Sequence, residues 1–118
     1  SVNKLLVILE CFRLVVDEPL IPGGCPLMNS AIESDDAHPL LKERVQIAMG
    51  RLLNRVETII TEGIKANELK QGIDPHVVAT FLVASVEGGI MLSKLYDDKE
   101  RIYTVVAQMQ QYVRQLAK

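Results

Sequence analysis

The residues best equipped for chemistry are few and scattered. The two histidines, His38 and His76, stand in His38-Pro39 and Pro75-His76, where the chain is set to start helices. No Glu-x-x-His spacing exists, so the carboxylate-bridged metal site that a helical bundle can hold lacks its ligand motif. A His-Glu-x-x-His pair, a phosphate loop and a G-x-S-x-G turn are absent as well. A place at a helix start accounts for both histidines. No catalytic residue, metal or cofactor is expected, and the chain reads as a protein that is not an enzyme.

Four other positions carry a choice of roles. Cys25 lies in Gly24-Cys25-Pro26 at an expected helix start, where the helix dipole favours a thiolate. It is either a redox-sensing thiol or a small side chain filling a tight junction, and no resolving partner stands near it. Glu87 interrupts an apolar helix between Val83 and Ile90. A buried carboxylate needs a partner, so Glu87 either lines a ligand cavity or meets an arginine, with Arg13 and Arg55 as candidates. Asn29 and Glu33, four apart, share one helix face and either point into a cavity or hold the adjoining turn.

The elements that must position these residues read as five helices, with no alternating run long enough for a strand. The first covers residues 2–17 and is apolar almost all round, the mark of a buried helix. Pro19, Pro22, Gly23 and Gly24 break the chain. A short second helix follows over about residues 26–34, with Pro26 in its first turn. After a turn at Asp35, Asp36 and Ala37, Pro39 opens a long third helix to about Asn67. Its stripe runs through Leu41, Val45, Ala48, Leu52, Val56 and Ile59, widened by Met49, Leu53, Ile60 and Ile64. Gly50 and Gly63 inside it each cost ~1 kcal/mol relative to Ala, which a close contact or a bend would explain. Asp74-Pro75, a capping acceptor before a proline, starts the fourth helix, which ends near Tyr96. Asp97, with Glu100 three residues on, is expected to cap the fifth.

The last two helices offer a surface. On the fourth, Phe81, Ser85, Gly88, Gly89, Leu92 and Tyr96 fall on one side. Val77, Val78, Ala84, Met91 and Leu95 extend the apolar part to about half the circumference, more than one neighbour needs. On the fifth, Ile102, Val105, Val106, Met109, Tyr112, Val113 and Leu116 form a seam flanked by Thr104, Gln108, Gln111 and Gln115. Polar but uncharged residues beside an apolar stripe suit an interface core; a solvated amide face is the plainer alternative. Together the two helices predict a homodimer through an intermolecular four-helix bundle, with Phe81, Ser85, Gly88, Gly89, Leu92, Tyr96, Val105, Gln108, Met109 and Tyr112 at the interface.

Composition narrows the partners. In 118 residues, 48% are hydrophobic and 24% charged, the balance of one folded domain. Aromatics are 4% with no Trp, which argues against a base-stacking surface. A net charge of −2 without a basic run argues against gripping phosphates, so these residues alone are not expected to bind DNA. Cys11 and Cys25 are too few for a disulfide framework, which points to a reducing, cytoplasmic setting. The apolar run Leu5 to Leu9 falls far short of the ~20 residues that span a bilayer. It lacks the basic flank and cleavage site of a signal peptide, and no membrane partner is expected. The chain enters a helical pattern at once, without an initiator Met, which suggests a segment upstream.

The run Gly23-Gly24-Cys25-Pro26-Leu27-Met28-Asn29-Ser30-Ala31-Ile32-Glu33, followed by His38-Pro39-Leu40-Leu41-Lys42-Glu43-Arg44, resembles the C-terminal region of TetR-family transcriptional regulators. The end of the long helix from Ile64 to Leu69 with Asp74-Pro75 after it, and Val86-Glu87-Gly88-Gly89, are similar to that family too. The resemblance covers essentially the whole chain. It implies an all-α regulatory domain that dimerises through its last two helices and surrounds a mostly apolar effector pocket. Ligand entry would shift the long helix and change the separation of two N-terminal helix-turn-helix domains on an operator. Those domains are absent from this sequence, so operator binding would belong to a longer parent chain.

From the residues themselves the pocket is expected among the first three helices, lined by Leu5, Leu9, Phe12 and Val16, by Met28, Asn29 and Ile32, and by Met49, Leu52 and Val56. The methionines would let the lining adapt, and Asn29 would orient a neutral, largely apolar guest. The competing expectation is a helical oligomerisation or adaptor module with no small-molecule role. A cavity of ~300 Å³ or more separates the two.

Overall fold

The computed structural model describes residues 1–17 and 39–118. They form four helices: α1 (Val2–Asp17), α2 (Pro39–Lys65), α3 (Pro75–Leu95) and α4 (Glu100–Leu116). The expected third, fourth and fifth helices are α2, α3 and α4. The expected second helix lies outside the described residues, as do Cys25, Met28, Asn29, Ile32, Glu33 and His38. The side chain of Val16 lies outside them too.

α3 is the centre of the fold and packs on α1, α2 and α4, while α1 also lies along α4. The core joins Leu5 and Leu9 of α1, Val56 and Ile60 of α2, a run from Val78 to Ile90 of α3, and Ile102, Val106, Val113 and Leu116 of α4. Leu69, fully buried in the α2–α3 connection, completes it and bridges Ala117 in antiparallel fashion.

Helix ends follow local chemistry in some places and tertiary chemistry in others. Asp74 caps α3 as its sequence predicts, its carboxylate accepting from the N–H groups of His76 and Val77. The long helix closes two residues earlier than expected. Asn67 turns into the left-handed region at φ 63°, and the N–H groups of Glu68 and Leu69 both return to the Gly63 carbonyl. A Cβ on Gly63 would stand 2.8 Å from Leu69 Cδ1, so here the close contact explains the glycine. Gly50 meets nothing within 4 Å, and no contact accounts for it.

Three expectations need correction. Asp97 does not cap α4: it lies at φ 49°, and the N-cap is Lys99, whose side chain makes no capping bond. Instead Asp98 Oδ1 accepts from the Glu100 N–H at 3.1 Å, and the buried Ser93 hydroxyl, reaching across from α3, accepts from the Ile102 N–H at 2.9 Å. α1 is not buried all round; Leu5 and Leu9 are, but Val7 and Leu14 stand exposed. Finally, α3 is long and apolar enough to cross a membrane, a property expected of no segment, and half of its most apolar window is buried inside this chain. That is also the pattern of a central core helix.

The apolar crevice and the bare face of α3

α3 presents two unlike faces. One carries Val83, Val86 and Ile90 into the core. The opposite one carries Val77, Phe81, Ala84, Met91 and Leu95 to the surface.

On the inner side, Leu82, Val83 and Val86 meet Leu5, Ile8, Leu9 and Phe12 of α1 and Val56 of α2 around an entirely apolar crevice. Its free volume is about 10 Å³, room for roughly one water and well below a ligand cavity. Of the expected lining, Leu5, Leu9, Phe12 and Val56 are brought together here, while Met49 and Leu52 pack as half-buried residues against the core. The contributions of Leu82, Val83 and Val86 escaped the sequence reading, because a helix that is apolar all round does not declare which side meets α1.

Polar groups gather at the flank of α1. Arg13 Nη2 pairs with Glu10 Oε1 at 2.6 Å, and its guanidinium lies 5.4 Å from the centre of the Tyr103 ring. Gln110 donates to the other Glu10 oxygen at 3.4 Å. Glu87 is buried, at 7% exposure, and Arg55 is exposed on α2. His76, at the start of α3, faces Glu57 of α2 across 3.5 Å at the surface. Cys11 is a free, exposed thiol. Among the described residues no three of His, Cys, Asp and Glu gather to hold a metal. A second hollow, about 150 Å³, is lined by Ser1, Lys4, Ile59, Glu62, Gly63, Ala66 and Glu68. The Ser1 hydroxyl donates to a Glu68 carboxylate oxygen there at 2.8 Å.

On the outer side, the adjacent glycines part company. A Cβ on Gly89 would lie 2.9 Å from Ile102 Cδ1 and 3.1 Å from Val105 Cβ, so Gly89 serves the α3–α4 crossing within the chain. A Cβ on Gly88 would meet nothing within 4 Å. Of the residues expected at a dimer interface, Phe81, Tyr96 and Gln108 are exposed, while Ser85, Gly88, Leu92, Val105, Met109 and Tyr112 are half-buried. Gly89 is buried and leaves the set. Phe81 packs edge-on against Tyr112, ring centres 5.2 Å apart, which joins α3 to α4 at this surface. The centre of the bare stripe lies nearer Val77, Ala84, Met91 and Leu95 than the expected list placed it.

The family model described as "Tetracyclin repressor-like, C-terminal domain" matches residues 1–109. The chain belongs to that family. Two solved structures agree with the assignment. A TetR transcriptional regulator from Chloroflexus aurantiacus J-10-FL superposes with a TM-score of 0.93 at 29% identity, over 98% of this chain and 59% of its own. A TetR-family transcriptional regulator from Cytophaga hutchinsonii gives 0.84 at 26% identity, over 96% of this chain and 58% of its own. No curated protein matches the chain. The TetR-like chain thus spans under three fifths of the length of both regulators. The resemblance read from Gly23–Glu33 and the later motifs is therefore correct at the level of the family, and regulators of this family are generally soluble and not enzymes.

Proposed function

We propose that this chain is the effector-sensing and homodimerising domain of a cytoplasmic TetR-like repressor. It takes a small, mostly apolar ligand at the crevice and relays occupancy to a DNA-binding domain of a longer parent chain. The observation that carries this reading is the division of α3: one face walls the apolar crevice and the other is a bare apolar stripe. A partner on the outer face and a guest on the inner one would bear on the same helix. Bare apolar patches beyond a few hundred Å² mark interaction sites.

The crevice must open to admit a guest. Leu5, Ile8, Leu9 and Phe12 lie on one helix, and Val83 and Val86 on another, so a relative shift of α1 and α3 would widen it. A guest in place should raise stability by ~2.7 kcal/mol at a hundredfold excess over its dissociation constant. The experiment is a thermal-shift screen of neutral apolar compounds, followed by calorimetry on any hit. Hits that are lost on Val86→Phe, which fills the crevice, support the reading. No shift across a broad library counts against it.

One observation favours the second reading, a helical oligomerisation module without a ligand: the free volume of about 10 Å³ among the described residues. The same screen separates the two, since that module predicts self-association with no thermal shift.

A further inference from the structure

The end of α2, the end of α4 and the start of α1 are clasped together. Leu69, fully buried, bridges Ala117. Around them the Lys70 N–H donates to the Leu116 carbonyl at 2.9 Å and the Lys118 N–H to the Glu68 carbonyl at 3.0 Å. The Lys118 ammonium donates to Asn67 Oδ1 at 2.7 Å. α1 joins the same clasp: the Ser1 hydroxyl donates to Glu68, and a Cβ on Gly63 would stand 2.6 Å from that hydroxyl.

Away from the clasp, α2 is held far less. Val56, Ile60 and Gly63 of its second half are buried, but of residues 39–50 only Val45 is. Leu40, Leu41 and Ile47 there are 62%, 40% and 51% exposed. Gly50 stands at the boundary of the two halves. A Cβ on it would meet nothing within 4 Å, so no packing need explains a residue that weakens a helix interior. α1 shows the same gradient: Leu5 and Leu9 are buried, whereas Leu14 is exposed. Ser1 lies against Gly63 and Phe12 lines the crevice with Val56, so α1 runs from the clasp toward the less buried half of α2.

We propose that the clasp is a fixed pivot and that residues 39–50 of α2 swing from the core as an arm, with Gly50 as the bending point. The crevice then opens at its Phe12 end and stays closed at its Leu5 end. That this opening admits a guest rests on the sensing reading above; the opening itself belongs to the free protein. The cost of a local opening follows the burial it gives up. The arm surrenders Val45 and the half-buried Met49. Moving the second half would draw Val56 and Ile60 from the core and pull Leu69 out of the clasp. Hinges are a few residues that absorb a large change in backbone dihedrals, a change that glycine accepts at least strain.

The test is amide hydrogen exchange, read by mass spectrometry on the whole chain without ligand. Amides 43–50 should exchange about a hundredfold or more faster than amides 56–63. Gly50→Ala should slow exchange over 43–50 by about two- to fivefold, because the helical form of the bending point is then favoured. Leu69→Ala should speed exchange over 56–63 by tenfold or more and leave 43–50 unchanged, since the arm opens without disturbing the clasp. In a Cys11→Ser, Cys25→Ser background, Leu9→Cys should react with a maleimide tenfold or more faster than Leu5→Cys. Equal exchange in the two halves of α2 overturns the arm, as does a response of 43–50 to Leu69→Ala that matches that of 56–63. No effect of Gly50→Ala removes Gly50 as the bending point, and equal labelling at positions 5 and 9 removes the one-sided opening. The wild type and Gly50→Ala decide the matter even where Leu69→Ala does not fold. A failed ligand screen leaves the exchange pattern standing, and uniform exchange leaves guest binding standing, so the two readings fail separately.

Discussion

Gly88 and Gly89 are neighbours in the chain and opposites in the fold. Gly89 is the point at which α4 comes closest to α3, with Ile102 and Val105 pressed where its side chain would be. Gly88, about 100° further round the helix, looks into open space. The difference teaches what each face of α3 is for. The inner side is filled, with Val83, Val86 and Ile90 buried, whereas Phe81, Met91 and Leu95 on the outer side remain uncovered. Equal hydrophobicity on both sides therefore has two sources: intrachain packing on one and, in our reading, a second subunit on the other.

Substitutions at the two glycines should separate these sources most sharply. Gly89→Leu forces a branched side chain into a gap already closed by Ile102 and Val105, and should cost about 3 kcal/mol or more. Urea unfolding monitored by circular dichroism would detect it, and a loss below 1 kcal/mol would break the distinction. Gly88→Leu should leave the fold intact, raising helix propensity slightly, while weakening self-association by tenfold or more. Sedimentation across a concentration series measures that effect. Unchanged association would place the interface elsewhere.

A smaller effect is expected where α3 holds the start of α4. Ser93→Ala removes the hydroxyl that satisfies the Ile102 N–H in a buried position, at a cost of roughly 1–2 kcal/mol. Asp97→Gly, by contrast, removes the carboxylate while accepting the positive φ of this position, and should change stability little, because Asp97 does not cap the helix. Equal losses in the two variants would restore the local capping box. The smallest change concerns the other pair of glycines. Gly50→Ala should stabilise α2 by about 0.5–1 kcal/mol, while Gly63→Ala should destabilise through its contact with Leu69. Chemical denaturation of both variants tests the sign of each.

Much of the local structure was legible in the sequence. Pro39 opens α2 and Asp74-Pro75 opens α3, because a fixed φ and a side-chain acceptor act on the chain beside them. The inward positions Ile102, Val106, Val113 and Leu116 followed from helical spacing. The crevice was half legible: Leu5, Leu9, Phe12 and Val56 were named from their own helices. The α3 wall was not, since Leu82, Val83 and Val86 look no different in sequence from Val77, Phe81 and Met91.

The sequence by itself thus determined where α2 and α3 begin, at Pro39 and at Asp74-Pro75, and that the chain is all-helical where it is described. These properties depend on backbone dihedrals and hydrogen bonds within a turn or two. Tertiary structure decided which face of α3 turns outward, which glycine admits α4, and that a serine nine residues upstream caps the last helix. An apolar helix has no preferred face until its neighbours arrive. Burial is a property of the space between elements, and a capping group from another helix exists only once the two helices have packed.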